Sequence, residues 1–247
     1  MTVHLSSQAD LEDAIQDLVK QDPRLKPILE IAGMPALRRR EAGFVGLAHI
    51  VCGQQLSTAS AAAIWARLSA AFVPFDHDAV RRARADRLGR LGLSAAKIKT
   101  LKNIARELAA ERLNLDVLAE EDADAAHHTL TALPGIGPWT ADLYLLFCLG
   151  HGDAWPAGDL AVQEAIRMGL GLKARPTEKQ MIPLAEPWRP FRGAAAHLWW
   201  SYYRALRKRE GVLAGKQQAN SADNAATAKP SSTPARIPAP RKPASNK

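Results

Sequence analysis

The sequence predicts an all-α protein, and three observations point that way. Apolar residues recur at helical spacing through residues 1–215, the alternating pattern of a half-buried strand is almost absent, and short loops containing Gly, Pro and Asp separate the periodic stretches. Leu11, Ile15 and Leu18 share one helical face. Residues 43–52 form a compact apolar segment that stops at Gly53-Gln54-Gln55. A helix is expected over about residues 58–72, with Ser57 as its N-cap and an Ala-rich body that allows close packing. Leu91-Gly92-Leu93-Ser94 reads as a turn and cap, and Ile98, Leu101, Ala105 and Leu108 then lie on one face of the next helix. Further helices are expected over about residues 123–133, 138–149, 160–169 and 192–209. No internal repeat of fixed period occurs.

Composition narrows the class. The chain has 247 residues, 47% of them hydrophobic, which is ample for a core. The longest strictly apolar run, residues 143–149, is seven residues, against the roughly 20 that a membrane-spanning helix needs. The first residues are acidic where a secretory signal would be apolar, so the chain reads as mature, intracellular sequence, and a cytoplasmic protein not associated with a membrane is expected. Two cysteines, Cys52 and Cys148, cannot supply a disulfide framework, a four-thiolate zinc site or a four-cysteine iron–sulfur cluster.

The net charge of +8 is unevenly spread. Residues 216–247 are rich in Ala, Pro, Ser and Lys, with one Ile and no aromatic residue, and read as a disordered basic tail. Six cations there against Asp223 alone leave only +3 for residues 1–215. The tail suits nonspecific attraction to nucleic acid, which salt would screen. A solubilising tail with no partner fits the composition equally well.

The most informative segment is Leu133-Pro134-Gly135-Ile136-Gly137-Pro138-Trp139-Thr140-Ala141-Asp142. Two glycines flank one apolar residue between two expected helices, so the backbone can adopt positive φ and approach a ligand closely. Ile136 can plug the turn, and Pro138 suits the first turn of the second helix. The free amides at that helix start form an anion site of the kind a DNA phosphate fills. Asp159 follows 22 residues after Gly137, where it opens the helix LAVQEAIRMGL. Asp is a favoured N-cap, and capping is compatible with a chemical role.

This string resembles the helix-hairpin-helix DNA glycosylases, and within them the 3-methyladenine DNA glycosylase II branch. The resemblance covers roughly residues 8–212. It is strongest at Gly53-Gln54-Gln55-Leu56-Ser57, at the hairpin followed by Trp155-Pro156-Ala157-Gly158-Asp159, and at Trp188-Arg189-Pro190-Phe191-Arg192 continuing to His197-Leu198-Trp199.

It implies one glycosylase domain over residues 1–215 made of two helical lobes around a central cleft. One lobe, about residues 44–158, contains the hairpin; the other joins the N-terminal helices to about residues 159–212. It also implies a monomer that extrudes a damaged base from double-stranded DNA and hydrolyses its N-glycosidic bond. Asp159 would be the catalytic carboxylate, and Gly135, Ile136, Gly137 and Thr140 the DNA-binding hairpin. Trp139, Trp199 and Tyr144 would line the base pocket, although the family's own pocket tyrosine aligns with Leu143. Gln55 or Leu56 would be the wedge filling the vacated stack.

No cofactor is required on this reading. The family's hairpin holds a monovalent cation (K or Na) through backbone carbonyls, which would be those of Leu133 and Gly135. Branches that also cut the strand carry a lysine where this chain has Trp139, so base removal without strand cleavage is implied. A glycosylase for mismatched or deaminated bases, and a noncatalytic helix-hairpin-helix DNA-binding module, remain as alternatives. The Arg38-Arg39-Arg40 run and the arginines from 81 to 90 read mostly as solvated charge, and Lys97 and Lys99 near the Ser94 cap could touch the DNA backbone.

Overall fold

The computed structural model describes residues 2–208, and the expected basic tail lies outside them. Helices follow one another as α1 (Gln8–Gln21), α2 (Lys26–Ala32), α3 (Gly43–Gly53), α4 (Thr58–Ala71), α5 (His77–Arg82), α6 (Ala85–Arg90) and α7 (Ala95–Ala109). They continue as α8 (Ala123–Thr131), α9 (Pro138–Leu143), α10 (Leu160–Gly169), α11 (Glu178–Ala185) and α12 over residues 192–208. No strand forms among the described residues; an isolated bridge joins His4 to His151. None of their helices is long and apolar enough to cross a membrane.

Local chemistry starts the helices where the sequence places caps. The Ser7 hydroxyl accepts from Asp10 N while the Asp10 carboxylate accepts from Ser7 N at 2.8 Å, a reciprocal cap on α1. Ser57 and Ser94 cap α4 and α7 through their hydroxyls alone, which accept from Ser60 N and Lys97 N. Short α2, α5, α6 and α11 were not anticipated, because helices of six to eight residues give too few apolar repeats to show a period. The expected helix over residues 138–149 is present, but beyond α9 it widens into π-type winding over Tyr144–Leu149 and ends at Gly150 with φ +74°.

Two apolar clusters hold the helices together. The larger joins Leu47 and Val51 of α3, Leu101 and Ile104 of α7, Leu145 and Leu146 of the π-type turn, and Val162 and Ile166 of α10. The smaller joins Leu5, Leu11, Ala14 and Ile15 to Ala194 of α12. Each fully buried Leu, Ile or Val contributes about 1.5–3 kcal/mol of transfer free energy. α12 serves both clusters, since Ala195, Leu198 and Trp199 face the larger one.

The connection from Gly150 to Asp159 is the part that positions the site. Its Asp153 accepts from Arg189 Nη1 (2.7 Å) and from Arg192 Nε and Nη2 (both 2.8 Å). Those two guanidiniums also pair with Asp124 at the start of α8. Trp155 Nε1 donates to Met181 O (3.1 Å), and Gln163 Nε2 donates to Ala157 O (2.8 Å). The segment leading to Asp159 is thus tied to α8, α10, α11 and α12.

Candidate active site

The hairpin between α8 and α9 turns through a hydrogen bond from Ile136 N to Leu133 O (3.0 Å). Ile136 is buried, plugging the turn as the sequence suggested. The two glycines serve different ends. Gly135 has φ +91°, and a Cβ there would collide with the Thr100 side chain of α7. Gly137 has an ordinary φ of −91° and open space where a Cβ would stand. The fold therefore requires glycine at 135, whereas at 137 a methyl group would project into the space beside the α9 N-terminus.

The turn after α3 is fastened to this hairpin by Gln54, whose Nε2 donates to Thr140 Oγ1 (2.9 Å) and to Gly135 O (3.4 Å). Thr140 is buried by this contact. Just beyond, Gln55 is held at φ +55° and is exposed, and Leu56 is 41% exposed although it is apolar. Both candidate wedge residues therefore project from a turn bonded to the hairpin. Lys97 is engaged inside the protein, its Nζ donating to Cys52 O at 2.8 Å.

Asp159 is half-buried and caps α10: Oδ1 accepts from Ala161 N and Val162 N, both at 3.0 Å. Two indoles complete its shell. Trp139 Nε1, from the hairpin's second helix, donates to Oδ2 at 3.0 Å, and Trp200 Nε1, from α12, donates to Oδ1 at 3.0 Å. Four N–H donors from three elements fix the carboxylate, and all four are electrically neutral. Such an anion is oriented without being neutralised, and it can stabilise positive charge that develops beside it.

Two of the expected pocket residues are elsewhere. Trp199 is 0% exposed, wedged between Trp188 (ring centroids 5.9 Å apart) and Tyr202 (5.8 Å), so it is a core residue and lines no pocket. Tyr144 is also 0% exposed, and its hydroxyl accepts from Gly43 N at 3.1 Å. Helical geometry accounts for the first correction. Trp199, Tyr202 and Leu206 form an inward stripe, and Trp200, one position on, is rotated by about 100° onto another face. Trp200 is the residue that sequence reasoning missed, and that stripe was the signal that could have found it. Tyr144 follows directly on α9 and faces the start of α3, where Gly43 holds its hydroxyl.

α9 itself carries a second carboxylate, Asp142, 5% exposed and 3.5 Å from His127 Nε2. Burial, with Glu178 nearby, holds its carboxyl well above the ordinary carboxylate range. Both cysteines are buried, and burial pushes each thiol up to about 12.

Residues 48–190 match the family model described as HhH-GPD superfamily base excision DNA repair protein. The chain is 34% identical over 208 residues to the probable bifunctional transcriptional activator/DNA repair enzyme AlkA of Mycobacterium tuberculosis, covering 79% of this chain and 40% of that protein. It is 26% identical over 202 residues to the DNA-3-methyladenine glycosylase of Bacillus subtilis, covering 74% of this chain and 65% of that one. It thus spans less than two thirds of either relative. Among solved structures, DNA-3-methyladenine glycosidase from Bacillus halodurans superposes with a TM-score of 0.72 at 26% identity, over 84% of this chain and 94% of that one. The Schizosaccharomyces pombe 3-methyladenine DNA glycosylase in complex with abasic DNA gives 0.67 at 27% identity, over 76% and 95%.

Proposed function

The chain belongs to the HhH-GPD superfamily of base excision DNA repair proteins, and we propose that it is a monofunctional DNA glycosylase acting on alkylated purines of the 3-methyladenine and 7-methylguanine type. The observation that carries this reading is Asp159, held by neutral donors from the hairpin helix, from α12 and from its own helix start. The names of its relatives support the substrate class.

The proposed chemistry follows from that anion. Amides at the start of α9 bind a phosphate of the damaged strand, and the base is extruded while Gln55 or Leu56 fills the gap. As the bond from C1′ to the base nitrogen breaks, its electron pair leaves with the base. A purine alkylated at N3 or N7 is already cationic, so it departs neutral and needs no general acid. Positive charge appears on the sugar, where Asp159 stabilises it more than the neutral ground state. Water then adds to C1′, oriented by the same carboxylate, and passes its proton to that carboxylate, which returns it to solvent. Trp139, half-buried beside the hairpin, offers the ring on which the cationic base stacks. An indole cannot form a Schiff base, so the strand stays intact.

In the hairpin, Leu133 O accepts one bond from Ile136 N and Gly135 O one from Gln54 Nε2. Each carbonyl keeps a second lone pair, and neutral oxygens of this kind fit a potassium or sodium ion, which would brace the turn and take no part in bond cleavage.

The test is incubation of the purified protein, as a monomeric enzyme without added cofactor, with methylated duplex DNA and mass analysis of the released bases. Release of 3-methyladenine or 7-methylguanine, with strand breaks appearing only after alkali, is the expected result. Release of uracil or a mismatched base instead would transfer the assignment to the deaminated-base class. Binding without any release would make the protein a noncatalytic DNA-binding module.

A further inference from the structure

Residues 33–42 cross from α2 to α3 as an irregular loop. The loop is pinned on both sides of Arg38: Leu37 N donates to Gln8 Oε1 (2.8 Å), and Arg40 N donates to Phe147 O (2.7 Å). Arg39, also exposed, has its guanidinium engaged, Nη1 donating to Leu5 O at 3.4 Å. Arg38 is exposed, and its guanidinium carbon lies 5.9 Å from the ring centroid of Trp200, the same indole that donates to Asp159. Guanidinium, indole and carboxylate therefore stand in series, and no carboxylate among the described residues pairs with the guanidinium.

The geometry points to Arg38 as a phosphate ligand for the DNA strand at the nucleotide that faces Asp159. This rests on the glycosylase reading above. An anionic carboxylate aimed at a deoxyribose also repels the two phosphates that flank that sugar. Screening does little inside the Debye length of about 8 Å. A cation held over the Trp200 ring, with the indole between it and the carboxylate, offsets the repulsion, and the planar fork of Arg matches two phosphate oxygens. Packing over Trp200 limits the motion of the guanidinium before DNA arrives, so less side-chain freedom is lost on binding. Pairing with phosphate also matters for the chemistry. An unpaired guanidinium would oppose positive charge on the sugar, and a phosphate-bound one adds little net field there. In the sequence, Arg38, Arg39 and Arg40 are indistinguishable, and it is the pinned loop that gives them different surroundings.

Affinity of the full chain for a duplex carrying a tetrahydrofuran abasic-site analogue, measured across a salt series, tests the assignment. Arg38→Ala is expected to bind about tenfold more weakly at 50 mM salt, with the slope of log affinity against log salt shallower by about 0.9, the share of one phosphate contact. Arg38→Lys is expected to keep the slope and recover part of the affinity, since charge is retained and the fork is lost. Unchanged affinity and slope in Arg38→Ala would overturn the proposal. Asp159→Asn, assayed in parallel, separates the two readings. If it releases base at the wild-type rate while Arg38→Ala loses slope, the catalytic assignment fails and the phosphate contact stands. If it is inactive while Arg38→Ala binds normally, only the phosphate contact fails.

Discussion

Asp153 and Asp159 lie on one connection, six residues apart, and the protein surrounds them with opposite kinds of donor. Asp153 is buried and meets two guanidiniums, Arg189 and Arg192, so its charge is cancelled where it sits. Asp159 is half-buried and meets two indoles and two backbone amides, none of which carries charge. Asp22 falls between them, bonded to Trp188 Nε1 at 2.8 Å and to Arg24. The Arg24 guanidinium, against the opposing effect of burial, draws its carboxyl below the ordinary range. The difference teaches which carboxylate is available for work. A neutralised carboxylate locks loops to helices, and an oriented but uncompensated one retains a field that substrate can feel.

The contrast breaks most visibly at Asp159 itself. Asp159→Asn should lower base release by about 10³-fold or more, the scale of removing preorganised charge stabilisation. Its melting temperature should stay near wild type, because Asn caps a helix as well as Asp. At the other carboxylate the expectation reverses. Arg192→Ala leaves Asp153 without its buried partner and with only the part-exposed Arg189, and should cost about 3–5 kcal/mol in denaturant unfolding, while activity per folded molecule is kept.

The two hairpin glycines sharpen the same distinction between fold and function. Gly135→Ala combines positive φ with a collision at Thr100 and should destabilise by about 2 kcal/mol or more. Gly137→Ala should leave the melting temperature unchanged and weaken duplex binding several-fold, because its methyl group enters the space a phosphate would use. Loss of stability at 137 equal to that at 135 would remove the distinction.

The smallest expected effect separates the adjacent tryptophans. Trp200→Phe removes one hydrogen bond to a carboxylate and should reduce turnover by about tenfold, in line with the 1.5–3 kcal/mol of a charge-assisted bond partly replaced by water. Trp199→Phe should cost about 1–2 kcal/mol of stability by leaving a cavity, with turnover per folded molecule unchanged. The reverse pattern would restore Trp199 to the pocket.

How much of this was legible in the sequence depended on how local the determining physics was. Caps at Ser7, Ser57, Ser94 and Asp159 involve atoms two or three residues apart, and three of them were readable as such. The hairpin, with its glycines and the Ile136 plug, was readable for the same reason. The shell of Asp159 was only half visible. Trp139 lies in the motif, but Trp200 arrives from 41 residues downstream on α12, and which face it presents depends on where that helix docks. Tyr144 was misplaced because its side chain packs against the start of α3, bonded to Gly43 from 101 residues away, a contact that residue type does not announce. The different contacts of Arg38, over Trp200, and Arg39, at Leu5 O, depend on loop anchors from Gln8 and Phe147, contacts that a linear reading cannot contain.

The central claim is that a carboxylate field at position 159 favours a cation at the deoxyribose position. It is tested most directly by comparing affinities for two duplexes, one carrying a cationic pyrrolidine in place of the sugar and one the neutral tetrahydrofuran. The wild-type chain should prefer the cationic duplex by about 100-fold or more, as transition-state mimicry requires, and Asp159→Asn should bind both alike. Equal binding by the wild-type chain, or an undiminished preference in Asp159→Asn, would contradict it.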